Sequence, residues 1–172
     1  MRRSARQGTA LIAALCALGA AAPSRAASNN VAQVSANVVK PLILTRIQDM
    51  DLGTIVLGPG TWSNATVGIS RAGTFSCTNI NVSCTGATQV ATYNVSGTNN
   101  RVVQIFAPNV TLTNQSDASQ TLTMVLDGPG TVTLTNSGPP GTNFSIGGSI
   151  TLSSNTGAGL YTGTLNVTVD YQ

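Results

Sequence analysis

The chain has 172 residues, a length that suits one domain, and a formal net charge of +3. It has no histidine, and its five acidic residues are all aspartates. The Ser-His-Asp relay and the usual imidazole or glutamate bases are therefore excluded, and the chain does not read as an enzyme.

Residues 1–26 read as a secretory signal: an Arg-rich start, the apolar run from Ala10 to Ala22, and small residues at Ser24 and Ala26 that suit cleavage after Ala26. The run, about 13 residues, is too short to span a bilayer as a helix. Cys16 follows Leu15 rather than a small residue, which argues against a lipoprotein signal. Four of the basic residues, Arg2, Arg3, Arg6 and Arg25, belong to this segment. Without it four bases (Lys40, Arg46, Arg71, Arg101) face five acids (Asp49, Asp51, Asp117, Asp127, Asp170), a net charge of −1. Nucleic-acid binding then loses its electrostatic support.

Residues 27–40 form an N-terminal extension. From Asn29 to Lys40 it alternates, with Ala32, Val34, Ala36 and Val38 on one face and Val31, Gln33, Ser35 and Asn37 on the other. Pro41 closes it, because proline interrupts a ladder of hydrogen bonds.

From residue 41 to 172 the chain is rich in Thr, Val, Ser, Asn and Gly, which favour strands and turns. Short alternating runs recur at 41–47, 52–57, 65–70, 73–77, 88–96, 101–106, 109–114, 120–127, 130–136 and 148–154, and a last one covers 159–172. Turn-forming clusters such as GPGTWSN, NQSDAS and NSGPPGTN separate them. Many short strands at this spacing predict one β-sandwich or barrel.

Few residues suggest chemistry. Asp49 and Asp51 form a D-x-D pair that could hold a cation, but a solvated turn before the next strand is the plainer reading. Trp62 could stack on a sugar or cover a core edge. Several N-x-S/T triplets, such as Asn64 and Asn109, follow from the composition alone. Cys77 and Cys84 are the two cysteines left after processing, and an even count in a secreted chain favours a disulfide between them. With no histidine, no glutamate and no third cysteine nearby, zinc is disfavoured, and neither metal nor cofactor is expected.

The last run, GLYTGTLNVTVDYQ, puts Tyr161, Gly163, Leu165, Val167, Val169 and Tyr171 on one side. Tyr171 is penultimate and Gly159 is fourteenth from the end. These two positions resemble the C-terminal strand of chaperone–usher pilins, periplasmic immunoglobulin-like subunits that lack their seventh strand. VVKPLILTRIQDMDLGTIVLG, with its Pro-Leu strand and Leu-Gly step, resembles the opening of an uncharacterised family of secreted pilin-like proteins. FSIGGSITLSSNTGAGLYTGTLNVTVDYQ, read as a Gly-Gly turn, a strand and a closing strand, resembles its end. The likeness extends to spore-coat-protein-U-like secreted pilins. It spans most of residues 31–172, but its specific motifs lie at the two ends. The cysteines depart from the pattern, because many pilins join their first strands instead.

The resemblance implies an incomplete immunoglobulin-like sandwich completed by a strand from a neighbour. Such a chain is exported through the inner membrane and polymerises head to tail into a surface fibre, with a periplasmic chaperone and an outer-membrane usher as partners. Carried onto this sequence, Ala32, Val34, Ala36 and Val38 are the donor residues. Gly159, Tyr161, Leu165, Val167, Val169 and Tyr171 are the groove- or chaperone-facing ones. A shaft subunit fits better than a tip adhesin, since no added receptor-binding domain is visible. The alternatives are a self-contained secreted coat or matrix protein, whose N-terminal strand folds back into its own sheet, and a carbohydrate-binding adhesin using Trp62.

Overall fold

The computed structural model describes residues 31–172; the expected signal peptide and the first residues of the extension lie outside the described residues. The chain divides into two units, Met1–Ala36 and Asn37–Gln172. In the first, residues 31–36 form no strand and are exposed. Among the described residues the second carries every strand, and no helix occurs.

All pairings among the described residues are antiparallel. The largest sheet begins with β1 (Ile43–Gln48), paired to β6 (Ala91–Ser96), which pairs with the first half of β11 (Thr142–Leu152). The second half of β11 pairs with β3 (Ala65–Ile69) and with β9 (Thr121–Asp127). From β9 the sheet continues to β8 (Val110–Asn114) and β12 (Tyr161–Thr162), while β3 also carries β4 (Phe75–Ser76). A second sheet runs β10 (Thr131–Thr133), β7 (Val102–Phe106), β13 (Thr168–Tyr171). A two-stranded ribbon joins β2 (Thr54–Leu57) to β5 (Val82–Thr85).

Two expectations from the sequence change here. Gly147-Gly148 is not a turn: it lies inside the eleven-residue β11, at the point where that strand exchanges β6 for β3 and β9. A side chain on Gly147 would overlap the backbone of Ile69, Ser70 and Arg71, so glycine here lets the end of β3 cross close by. The closing strand is also not continuous. Tyr161 and Thr162 pair with β8 and Thr168–Tyr171 with β7, and residues 163–167 between them join no ladder. The alternation itself survives: Tyr161, Leu165, Val167, Val169 and Tyr171 are half-buried and their neighbours exposed.

Apolar side chains gather in two clusters. One contains Val67, Ile69, Val110, Met124, Ile150 and Leu152; the other contains Tyr93, Val95, Val103, Leu134, Phe144 and Ile146. Met50, Leu126 and Leu165 pack against both and join them. Full burial of an aliphatic side chain such as Val95 or Ile146 stabilises the fold by roughly 1.5–3 kcal/mol. Cys77 and Cys84 are disulfide-bonded. The bond ties β5, and through it β2, to the segment that follows β4. A two-stranded ribbon is marginal alone, so this tether and the packing of Ile55 and Leu57 on the first cluster hold it in place.

Candidate functional site: an apolar groove between two open strand edges

Among the described residues β2 is hydrogen-bonded to a strand on one side only, that of β5. The segment 156–165 is bonded through β12 to β8, again on one side. The open edges of these two segments face a shared cavity of about 1070 Å³. Residues 49–57 form one wall and residues 156–165 the other. The floor is Val110, Leu112, Leu122, Met124, Leu126, Ile150 and Leu152, supplied by alternate positions of β8, β9 and β11. Each of those strands turns its other face outward and lines it with threonine, as at Thr111, Thr123 and Thr151.

The two walls run in opposite directions. At one end Gly58 accepts the Trp62 indole N–H (3.1 Å), and the Trp62 carbonyl accepts the Ser154 N–H (3.0 Å), which brings the end of β2 beside the start of the other wall. At the other end Met50 and Leu165 both pack where the two clusters meet. Near the first end the groove adjoins a smaller polar pocket of about 290 Å³ that includes Ser63, Asn64, Gln120 and Asn155.

One wall is anchored by a residue that the sequence reading did not single out. Asn114 is 1 % exposed, the one buried polar side chain among the described residues. Its amide Nδ2 donates to the Ala158 carbonyl (3.0 Å), and its Oδ1 accepts the Ser116 N–H (2.8 Å). It therefore holds the start of the 156–165 wall against the turn between β8 and β9. The signal was present as an asparagine closing an alternating strand ahead of QSDAS, a setting that favours an Asx turn. Gly159 is the partner of this anchor: its φ is +147°, and a Cβ there would overlap the Asn114 carboxamide.

The expected wall residues divide. Gly159, Tyr161 and Leu165 line the groove. Val167, Val169 and Tyr171 pack instead on the second cluster, beyond the groove's end. Ala32, Val34, Ala36 and Val38 are exposed and in no strand, with Val34 95 % exposed. Asp49 and Asp51 sit on the rim. Asp49 pairs with Arg46 (2.7 Å), and Asp51 accepts the Gly53 N–H (2.8 Å). Among the described residues no three potential metal ligands cluster. Trp62 packs on the first cluster with its indole N–H already bonded. Tyr93 lies under the groove, and burial, followed by the Asp49 carboxylate, pushes its hydroxyl pKa above the ordinary tyrosine value.

Chemically the groove offers apolar contacts along its floor and backbone hydrogen-bonding groups along two edges. No curated protein and no solved structure matches the chain. The model of a domain of unknown function, DUF4402, matches residues 42–171, and the chain belongs to that family.

Proposed function

We propose that the protein is a structural subunit of a bacterial surface fibre, an incomplete immunoglobulin-like sandwich completed by the N-terminal extension of another copy. The observation that carries this reading is the pairing of a groove lacking a strand with an alternating segment lacking a sheet. Each wall has nine or ten residues, on the order of 30 Å if extended. That is long for a small-molecule site and suits a polypeptide strand. Residues 31–40 have the matching length, and their Ala32, Val34, Ala36, Val38 face has small apolar side chains suited to the floor.

Strand addition of this kind draws affinity from main-chain hydrogen bonds and register from alternate side-chain pockets. Each Val removed from water adds roughly 1.5–3 kcal/mol. A joint in which one face of each copy meets a different face of the next gives open filaments. In the periplasm a chaperone strand would cover the groove first, and an usher would exchange it for the extension.

A peptide of residues 29–40 tests the reading. Added to protein lacking those residues, it should raise the melting temperature, while a peptide carrying Val34→Asp should not. Full stability without the extension, together with no effect of the peptide, would overturn the proposal.

A further inference from the structure

The smaller pocket of about 290 Å³ beside the groove differs from it in chemistry. Every residue that lines it is uncharged at neutral pH, and most carry a hydroxyl or a carboxamide. It is built by residues 63–64 ahead of β3, the turn 153–156 after β11, and Gln120 just before β9. The first two are pinned together: the Trp62 N–H donates to the Ser154 hydroxyl (3.3 Å), and the Trp62 carbonyl accepts the Ser154 N–H (3.0 Å). The turn is closed from within. The Thr156 N–H donates to the Ser153 carbonyl (3.0 Å), the Ser153 N–H to the Thr156 hydroxyl (3.0 Å), and the Asn155 N–H to the Ser153 hydroxyl (3.3 Å). Gln120 lies along Gly157, where a Cβ would sit 3.3 Å from its Cγ. Asn64 is held at φ +60°, a left-handed conformation that asparagine tolerates. Among the described residues the carboxamides of Asn64, Gln120 and Asn155 have no hydrogen-bond partner, although all three line the pocket.

We propose that this pocket binds one ring of an uncharged glycan, with Asn64, Gln120 and Asn155 hydrogen-bonding its hydroxyls. A carboxamide offers both donors and an acceptor, and a sugar hydroxyl likewise donates and accepts. An anion would find no cation in the lining, and a cation no carboxylate. The Asp117 carboxylate in the neighbouring turn is engaged by the Ser119 N–H (3.0 Å) and hydroxyl (2.7 Å). Tyr161 supplies an aromatic ring to the C–H face of the sugar, its own hydroxyl tied to the Gly157 carbonyl (2.8 Å), and Leu122 and Leu152 add apolar surface. The volume lies at the small end of ligand sites, roughly 300–1,000 Å³, which suits a single ring. Thr151 extends the site outward. It pairs with Thr66, and the register of Ile150 with Met124, carried one residue on, sets it opposite Thr123, which pairs with Thr111. These four exposed threonines make a row of roughly 14 Å across four strands, an uncharged face for the next units of the glycan. Trp62, the residue that the sequence suggested for stacking on a sugar, packs on the first cluster and pins the loop instead. A glycan bound here leaves the donor-strand reading untouched, since Asn64, Gln120 and Asn155 do not line the groove.

The test is saturation-transfer NMR of the exported protein with glucose, galactose, mannose and N-acetylglucosamine, and with glucuronic acid and glucosamine as charged counterparts. The expected result is saturation of at least one neutral sugar and of neither charged one. Asn64→Gly keeps the backbone conformation and removes one carboxamide, and Asn155→Ala removes another. Each should weaken binding of that sugar about tenfold with an unchanged melting temperature. Asn100→Gly removes the carboxamide of the other non-glycine residue at positive φ, +58°, which lies outside the pocket, and should bind like the parent. Thr123→Val should keep the affinity for the single sugar and lower that for the matching tetrasaccharide several-fold. No saturation of any neutral sugar would overturn the proposal, as would equal binding by Asn64→Gly, Asn155→Ala and Asn100→Gly, or tighter binding of a charged sugar. An unchanged tetrasaccharide affinity in Thr123→Val would overturn the role of the threonine row.

Discussion

Gly159 occupies the one conformation and the one space that Asn114 leaves to it: its φ is +147°, and the carboxamide of Asn114 fills the position where a Cβ would project. Gly159→Ala meets both a strained backbone and a steric conflict, at a cost of about 1–3 kcal/mol. Asn114→Ala leaves the Ala158 carbonyl and the Ser116 N–H without this partner, also about 1–3 kcal/mol. The two changes should combine to less than their sum, because removing the carboxamide relieves the conflict. Urea unfolding of the single and double variants measures this.

The groove wall should respond to charge on one face only. Leu165→Asp places a carboxylate where both apolar clusters meet, and covering it without a partner costs several kcal/mol. Asn166→Asp places the same charge on an exposed neighbour and should behave like the parent. Binding of the 29–40 peptide, followed by calorimetry, should be lost in the first variant and kept in the second.

Deleting residues 29–38 removes the face proposed above as the donor and leaves Lys40, whose N–H donates to the Thr98 hydroxyl. Protein with this deletion should still be captured by a periplasmic chaperone but should add to no fibre. Electron microscopy and non-denaturing gels of co-expressed material check this, and normal fibres would contradict the donor role.

Alkaline pH should weaken the domain through Tyr93. A pKa raised on folding means that the folded state holds the proton more tightly. Stability is therefore unaffected below the unfolded value of about 10.0 and is lost as pH rises from there through the raised folded value. Tyr93→Phe should flatten that part of the stability-against-pH curve. An alkaline limb that is the same in both proteins would show that burial of this hydroxyl is not its cause.

Reduction should act on the groove from the other wall. Cys77 and Cys84 are seven residues apart, a loop for which chain-entropy arguments give about 2–3 kcal/mol. Cys77→Ser with Cys84→Ser should lower stability by about that amount. It should also raise hydrogen exchange in β2 and β5 more than in β6 or β11. Mass spectrometry of an unreduced digest should recover the two cysteine peptides joined.

The all-β class and most strand positions were legible in the sequence because alternation and turn composition are local properties. A run such as QTLTMVLD at 120–127 carries its own two faces, and β9 follows it within a residue. VSCT at 82–85 was too short and too polar to read as a strand, and it becomes β5 because β2 lies beside it. Gly147-Gly148 looked like a turn because nothing nearby in sequence reveals that the end of β3 crosses there.

The candidate site divides along the same line. The sequence alone determined which face of 159–172 is apolar, which face of 31–40 is apolar, and that two cysteines were available to pair. Only the tertiary structure decided that Leu165 lines a groove while Val167, Val169 and Tyr171 lie beyond it, that Asn114 holds Gly159, and that Tyr171 reaches Lys40 across 131 positions of chain. The physical reason is that a side chain's face is set by its neighbours in sequence. Whether that face meets a core, a groove or a hydrogen-bond partner is set by segments far away along the chain.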